Sequence, residues 1–326
     1  MKSKQFKTII DLLANFKDED TCIKYFESIR FKDGDYCPHC GHSEIYRFKG
    51  GKRFRCAKCK QDFTIKTGTI FGESKISLQK WFVAIYLLTT SNKGISSVQL
   101  SKQVGVTQKT AWFMDHRIRK AMKQNKGQLF GKVEIDETYI GGKDKNKHWK
   151  KRVGGTQGRS LACKVPVMGM LQRGGKVKVK VLSDVKMITL EKEIVDSIKI
   201  GSQLYTDEFR SYKKIGKLYP HRCVKHKEGQ YVRKGGEIHT NGIESFWTTF
   251  KRAYYGTYHH ISVKHLQRYV DEFSYRFNNR VDFDKLFTGV VESVAESKVL
   301  KYNSLISKKY TLTYGKKSKV SQLITA

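Results

Sequence analysis

The stretch GKVEIDETYIGGK, residues 131–143, decides how this chain is to be read. Val133, Ile135 and Tyr139 recur at alternate positions and Gly141–Gly142 closes the run, the pattern of a short strand followed by a turn. Asp136 stands in its middle, where acidic residues are depleted because a carboxylate adds nothing to sheet packing. On a strand it faces away from Ile135, and a carboxylate on so rigid a support is a platform for a divalent metal. Taken alone, a solvated aspartate on an edge strand is the plainer reading. Two further stretches change that: LYTDEF at 204–209 and HTNGIESFWTTFK at 239–251.

The chain around them has 326 residues, enough for two or three modules with their own cores. Its 64 Lys and Arg against 30 Asp and Glu give a formal charge of +34. Such an excess points to a polyanion, and nucleic acid is the usual one. A basic membrane-surface protein would want an amphipathic or lipidated anchor, and none is evident. MKSKQFKTIIDLL has no apolar core of signal-peptide length, and the longest apolar run, Trp81–Leu88, is too short to span a bilayer. Cys22, Cys163 and Cys223 are scattered, an odd remainder unlike a disulfide framework. The expected location is a reducing cytoplasm, with no membrane partner.

The other four cysteines are paired, as CPHCG at 37–41 and CAKCK at 56–60. Two C-x-x-C pairs at this separation present four thiolates to one zinc ion. A hairpin turning at Gly50–Gly51 would lie between them, making a zinc ribbon whose metal is structural because Cys37, Cys40, Cys56 and Cys59 fill all four positions. Residues 1–35 read as a helical lead-in. From Ser77, an expected N-cap, a helix runs towards Gly94. Residues 95–122 read as helix, turn at Gly105, and helix capped by Thr107, with Gln108, Lys109, His116, Arg119 and Lys120 on its outer faces. That is a helix-turn-helix, whose second helix can enter a major groove; an ordinary helical hairpin is the alternative.

Beyond Asp136, VPVMGML (165–171) and KVKVKVL (176–182) read as strands turning at Gly174–Gly175, the second with one buried and one positive face. A helix is expected over 188–198, then a strand, SQLYTD, ending at Asp207, and a helical EFRSYKKI. An aspartate before a helix is often only its N-cap. Glu244 lies in a helix after Asn241–Gly242, and Asn241 to Glu244 has the spacing of a capping box. HLQRYVDEFSYRFNN (265–279) is amphipathic, and one more helix follows Asp282. Three ambiguous acids thus fall on a strand, a strand end and a helix in one basic module. Polynucleotidyl transfer uses that arrangement, with two Mg²⁺ or Mn²⁺ ions about 4 Å apart between carboxylates.

These residues carry a resemblance. The zinc-ribbon cysteines, VEIDETYIGGK, YTDEFRSY and HTNGIESFWTTFKRAYYGTYHHISVKHLQRYVDEFSYRFNNR (239–280) resemble the DDE-type bacterial insertion-sequence transposases with an N-terminal zinc ribbon and a ribonuclease-H-like catalytic domain. The likeness covers roughly residues 35 to 282. It implies Asp136, Asp207 and Glu244 as the metal-binding triad and Lys251 as a basic residue near the scissile phosphate, with His239 and Asn241 in support. Glu244 is favoured over Asn241 as the third ligand because it shares a helix face with Lys251, leaving Asn241 as the expected N-cap.

The fold expected is multidomain: a helical lead-in (1–35), a zinc ribbon (36–66), a helix-turn-helix domain (77–125), an α/β ribonuclease-H-like domain of mixed sheet and flanking helices (131–282), and a C-terminal helix with a basic tail (283–326). The function expected is a transposase that binds terminal inverted repeats in double-stranded DNA, frees a 3′-OH by metal-activated hydrolysis and joins it to target DNA, with at least two subunits in the assembly. The rivals are a non-catalytic DNA-binding regulator derived from a transposase, and a recombinase with a serine or tyrosine nucleophile.

Overall fold

The structure, a computed structural model, describes residues 6–123, 127–142, 144–146, 148–154, 160–161, 163–207, 217–224 and 237–307. The helix expected over EFRSYKKI and the basic terminus lie outside them. The chain divides into two compact units, Met1–Lys123 with Asn279–Lys308, and Gln124–Asn278 with Lys309–Ala326.

The first unit opens with α1 (Ile9–Asn15) and α2 (Glu19–Arg30), capped by the side chains of Thr8 and Asp18. The ribbon follows as an antiparallel sheet of β1 (Ile45–Arg47), β2 (Phe54–Cys56) and β3 (Asp62–Phe63), the last strand too short to be visible in sequence. Helix α3 (Leu78–Thr90) starts at Ser77, whose hydroxyl accepts the N–H of Lys80. Helices α4 (Ser97–Val104) and α5 (Gln108–Ala121) are joined through Gly105 in the left-handed conformation, φ 66°.

The outward face expected for α5 is corrected by the structure. His116 is fully buried and Arg119 is 1% exposed, so both lie inside the unit. Along the same helix Arg117 Nε donates to the carbonyl of Leu300, and Lys120 Nζ to those of Lys298 and Val299. Only the first turn, Thr107 to Lys109, stays exposed. The unit is completed by the far end of the chain, α9 (Phe283–Glu296) and α10 (Tyr302–Ile306). Phe287 of α9 packs against Phe6, Phe16 and Phe82 in one aromatic cluster.

The second unit is a five-stranded mixed sheet, β4 (Lys132–Ile140), β5 (Val165–Gln172), β6 (Val177–Val181), β7 (Gln203–Thr206) and β8 (His221–Cys223), in the order β6-β5-β4-β7-β8. The first three strands are antiparallel, whereas β7 and β8 join β4 in parallel. Alternation along β4 sends Val133 and Ile135 to one face, where they pack with Leu190 and Ile194 of α6 (Met187–Ser197). The opposite face, with Ile140, is covered by α7 (Asn241–Ala253) and α8 (Val263–Asn278). Edge strand β6 is closed by α8, whose Asn278 and Gln267 side chains accept the N–H groups of Val177 and Val181. Lys180 of β6, half exposed, stands 3.9 Å from Glu193 on α6.

Candidate functional site

The ribbon cysteines form two matching knuckles. Cys37 N–H donates to His42 O and Gly41 N–H to Cys37 O; Cys56 N–H likewise donates to Gln61 O and Lys60 N–H to Cys56 O. The knuckles close on left-handed residues at equivalent places, Gly41 (φ 76°) and Lys60 (φ 58°). Cys37 Sγ lies 3.7 Å from Cys59 Sγ and Cys40 Sγ 3.6 Å from Cys56 Sγ, and all four sulfurs lie within 4.8 Å of one another. A zinc tetrahedron with bonds of about 2.3 Å has edges of about 3.8 Å. The donor set and spacing fit one structural zinc ion.

In the second unit, Asp136 lies on β4 on the face covered by α7 and α8. Asp207 directly follows β7, which pairs Glu134 with Tyr205, so the next residues on that face of the two strands are Asp136 and Asp207. Glu244 lies in the first turn of α7 and Lys251 in its last. Burial first, and then the charge of Asp207, push the Asp136 carboxyl up to about 7; Glu244 adds to the rise, while the N–H of Glu137 and the charge of Lys251 oppose it. The other three candidates therefore all act on Asp136. Asp136, Asp207 and Glu244 thus lie close enough to influence one carboxyl, with the cation of Lys251 beside them.

The helix that brings Glu244 there departs from the sequence expectation. Its N-cap is Thr240, with no side-chain cap bond, and Asn241 is already the first helical residue. The capping box is therefore absent: Glu244 instead accepts the Thr240 hydroxyl at 2.8 Å. His239 Nδ1 accepts the Asn241 N–H at 3.3 Å. The same Nδ1 lies 3.4 Å from Glu134 Oε1.

Three contributors escaped the sequence reading. Gly169 pairs with Asp136 across β4 and β5, and a Cβ there would stand 2.6 Å from both Ile243 Cδ1 and Trp247 Cζ2. Glu134, 1% exposed, accepts the Ile243 N–H on Oε2 at 3.1 Å and Arg173 Nε on Oε1 at 2.8 Å. Arg173 also donates to the carbonyls of Glu237 and His239, each at 2.7 Å. The only early signal was an acid two residues before Asp136 on the same face of the strand. Beside Asp207, the Thr206 hydroxyl lies 2.8 Å from His221 Nε2, itself 3.6 Å from Cys223 Sγ. Burial lowers the His221 pKa.

Residues 128–278 match the family described as ISXO2-like transposase domain, and residues 17–62 the transposase zinc-ribbon domain. Over 276 residues, 81% of this chain, the sequence is 28% identical to an uncharacterized protein in transposable element ISH50 of Halobacterium salinarum, covering 92% of it. It is also 32% identical over 105 residues to an uncharacterized transposase-like protein of Haemophilus influenzae, a match spanning 32% of this chain and 82% of that protein.

Proposed function

Because this chain belongs to the insertion-sequence transposases that join an N-terminal zinc ribbon to an ISXO2-like DDE transposase domain, we propose that it binds the terminal inverted repeats of its element, cuts the element's ends and joins each freed 3′-OH to target DNA. The observation that carries this reading is the placement of Asp136 and Asp207 at neighbouring positions on one face of β4 and β7, with Glu244 in the first turn of the helix that covers that face. The succession supports a ribonuclease-H-like catalytic unit: Asp136 on its first strand, Asp207 after its fourth, Glu244 on a later helix.

Asp136, Asp207 and Glu244 would hold Mg²⁺ or Mn²⁺, which when bound supply Lewis acidity on both sides of a scissile phosphate. Thr240 holds one oxygen of Glu244 and so orients the other. Lys251 follows Glu244 by seven residues, about 20° short of two turns and about 10.5 Å along the axis. That spacing lets one face of α7 carry a metal ligand and a cation for the adjoining phosphate. Joining two ends requires at least two subunits.

The formal charge of +34 suits a DNA partner. The exposed first turn of α5 is the part of a recognition helix that meets base edges, which supports a helix-turn-helix role confined to Thr107–Lys109. The β4–β5 connection adds Trp149, 69% exposed, with Lys150 Nζ 5.4 Å from its ring centroid. An exposed aromatic beside cations is suited to stack on a base while the cations meet phosphates.

The test uses end DNA taken from the sequence flanking the gene. Asp136→Asn keeps shape but removes a metal ligand, so it should bind that DNA with near-normal affinity and fail to nick it in Mg²⁺. Cleavage retained by this variant would refute the assignment.

A further inference from the structure

We propose that Glu134 and Arg173 form a positioning pair that sets the distance between Asp136 and Glu244, and that Arg173 keeps Glu134 from becoming a metal ligand itself. The inference rests on the transposase reading and deepens it.

Glu134 and Asp136 are two residues apart on β4, so both point to the α7 face, roughly 6.6 Å apart along the strand. By position Glu134 could add a fourth carboxylate to a cation site. Both of its oxygens are committed elsewhere, Oε1 to Arg173 and Oε2 to the Ile243 N–H. Ile243 is the third residue of α7, and its N–H is one of those a helix start leaves without an internal partner. A buried carboxylate is well placed there, because helix N-termini favour negative charge. The next residue is Glu244. The route from the first acid to the third is thus two residues of rigid strand, one hydrogen bond and one peptide step.

Arg173 extends the hold. Its remaining donors take the carbonyls of Glu237 and His239, fixing the segment that enters α7. Its guanidinium lies 4.1 Å from the ring centroid of Tyr205, two residues before Asp207 on β7. One side chain therefore touches the strand that carries Asp136, the strand that leads to Asp207 and the segment that enters the helix of Glu244. Gly242 keeps the gap closed: a Cβ there would fall 2.8 Å from Glu134 Oε2 and 2.6 Å from Leu171 Cδ2. An ion pair serving only stability would share this burial. It would not, however, control how much metal the folded protein needs.

The experiment uses the full-length, zinc-loaded protein and compares the parent with Glu134→Gln, Arg173→Lys and the double variant Glu134→Gln/Arg173→Gln. Free Mn²⁺ is followed by electron paramagnetic resonance, and single-turnover nicking of end DNA is titrated with Mg²⁺, each below the variant's own melting temperature. Metal sites lose about 10–100-fold in affinity when groups supporting their ligands are removed. Each single variant should need at least about ten-fold more metal for half-saturation, with DNA affinity unchanged. The double variant, whose two amides can pair with each other, should recover part of that loss. Should Glu134→Gln fail to fold, Arg173→Lys decides the question, because one ammonium cannot reach all of the guanidinium's acceptors. Unaltered metal half-saturation in the folded single variants overturns the proposal, whatever their melting temperatures. A parent that neither binds Mn²⁺ nor nicks DNA overturns the transposase reading and this inference together.

Discussion

Gly169 stands directly across the β4–β5 pairing from Asp136, and Ile243 and Trp247 of α7 occupy the space its missing Cβ leaves. The close approach of helix to sheet at the candidate metal site depends on that space. Gly169→Ala puts a methyl group 2.6 Å from two fully or nearly buried side chains. Overpacking of this kind costs about 1–3 kcal/mol, which urea denaturation would measure. Because α7 must lift to relieve it, cleavage should fall further than stability alone explains. A variant with parental cleavage would show that the contact is dispensable.

Asp136 makes a prediction about pH. Its carboxyl sits near 7 in the folded chain against an ordinary 3.8. Between these values the folded state holds a proton that the unfolded state has lost, so this group's contribution to stability falls as pH rises from about 4 to 7 and is flat above. The full penalty is a few kcal/mol, at most about 4. Asp136→Asn should therefore be more stable than the parent at pH 8 without Mg²⁺, by about 1–3 kcal/mol, with the gap closing towards pH 4. Added Mg²⁺ should raise the melting temperature of the parent and leave the variant unmoved. Calorimetry at both pH values checks this, and equal stability throughout would count against it.

The two zinc knuckles differ at one place that matters. Gly41 and Lys60 both adopt positive φ, a conformation that suits glycine and strains lysine. Lys60→Gly should stabilise the ribbon by about 0.5–1 kcal/mol and slow the loss of zinc to a chelator. Cys56→Ser should leave less than one zinc per chain, read by elemental analysis. A ribbon whose folding survives chelation would refute the structural metal.

The partial burial of α5 separates its residues into two classes. Lys109, exposed in the first turn, should lose DNA affinity on replacement by Ala and lower the salt slope by about one. Arg119, 1% exposed, should instead lower the melting temperature, with little change in the slope for the protein that remains folded. Filter binding at several salt concentrations distinguishes them. The opposite pattern would mean that the helix meets DNA by another face.

Much of this was legible in the sequence because it rests on short-range chemistry. Cysteine spacing located the ribbon, and alternation at Val133 and Ile135 located the central strand. The 3.6-residue period marked residues 265–279 as an amphipathic helix, and along α8 Leu266, Val270 and Phe273 are buried while Tyr269 and Phe277 are partly so. What stayed hidden depends on register across the fold. Nothing near Gly169 announces that it faces Asp136, and Glu134 meets the N–H of Ile243, a residue 109 positions further along the chain. The cap of α7 was misjudged by one residue, since Thr240, Asn241 and Gly242 all suit a helix start. The buried face of α5 could not be foreseen because residues 298–300, far along the chain, supply the carbonyls that receive Arg117 and Lys120.

Phe287, in the aromatic cluster of the first unit, follows in sequence all of residues 124–278, which form the second. On the ribosome the helical unit must therefore wait. At about 5–20 residues per second, the 164 residues from Lys123 to Phe287 take roughly 8–33 s, during which Phe6, Phe16 and Phe82 lack their last partner. The carboxylate-bearing sheet, complete by Asn278, emerges before the helical core can close. A message broken upstream of that phenylalanine would then yield a chain with every acid of the proposed triad and an unfinished helical unit, so that premature termination would spare the proposed cutting residues and spoil the proposed DNA-reading helix.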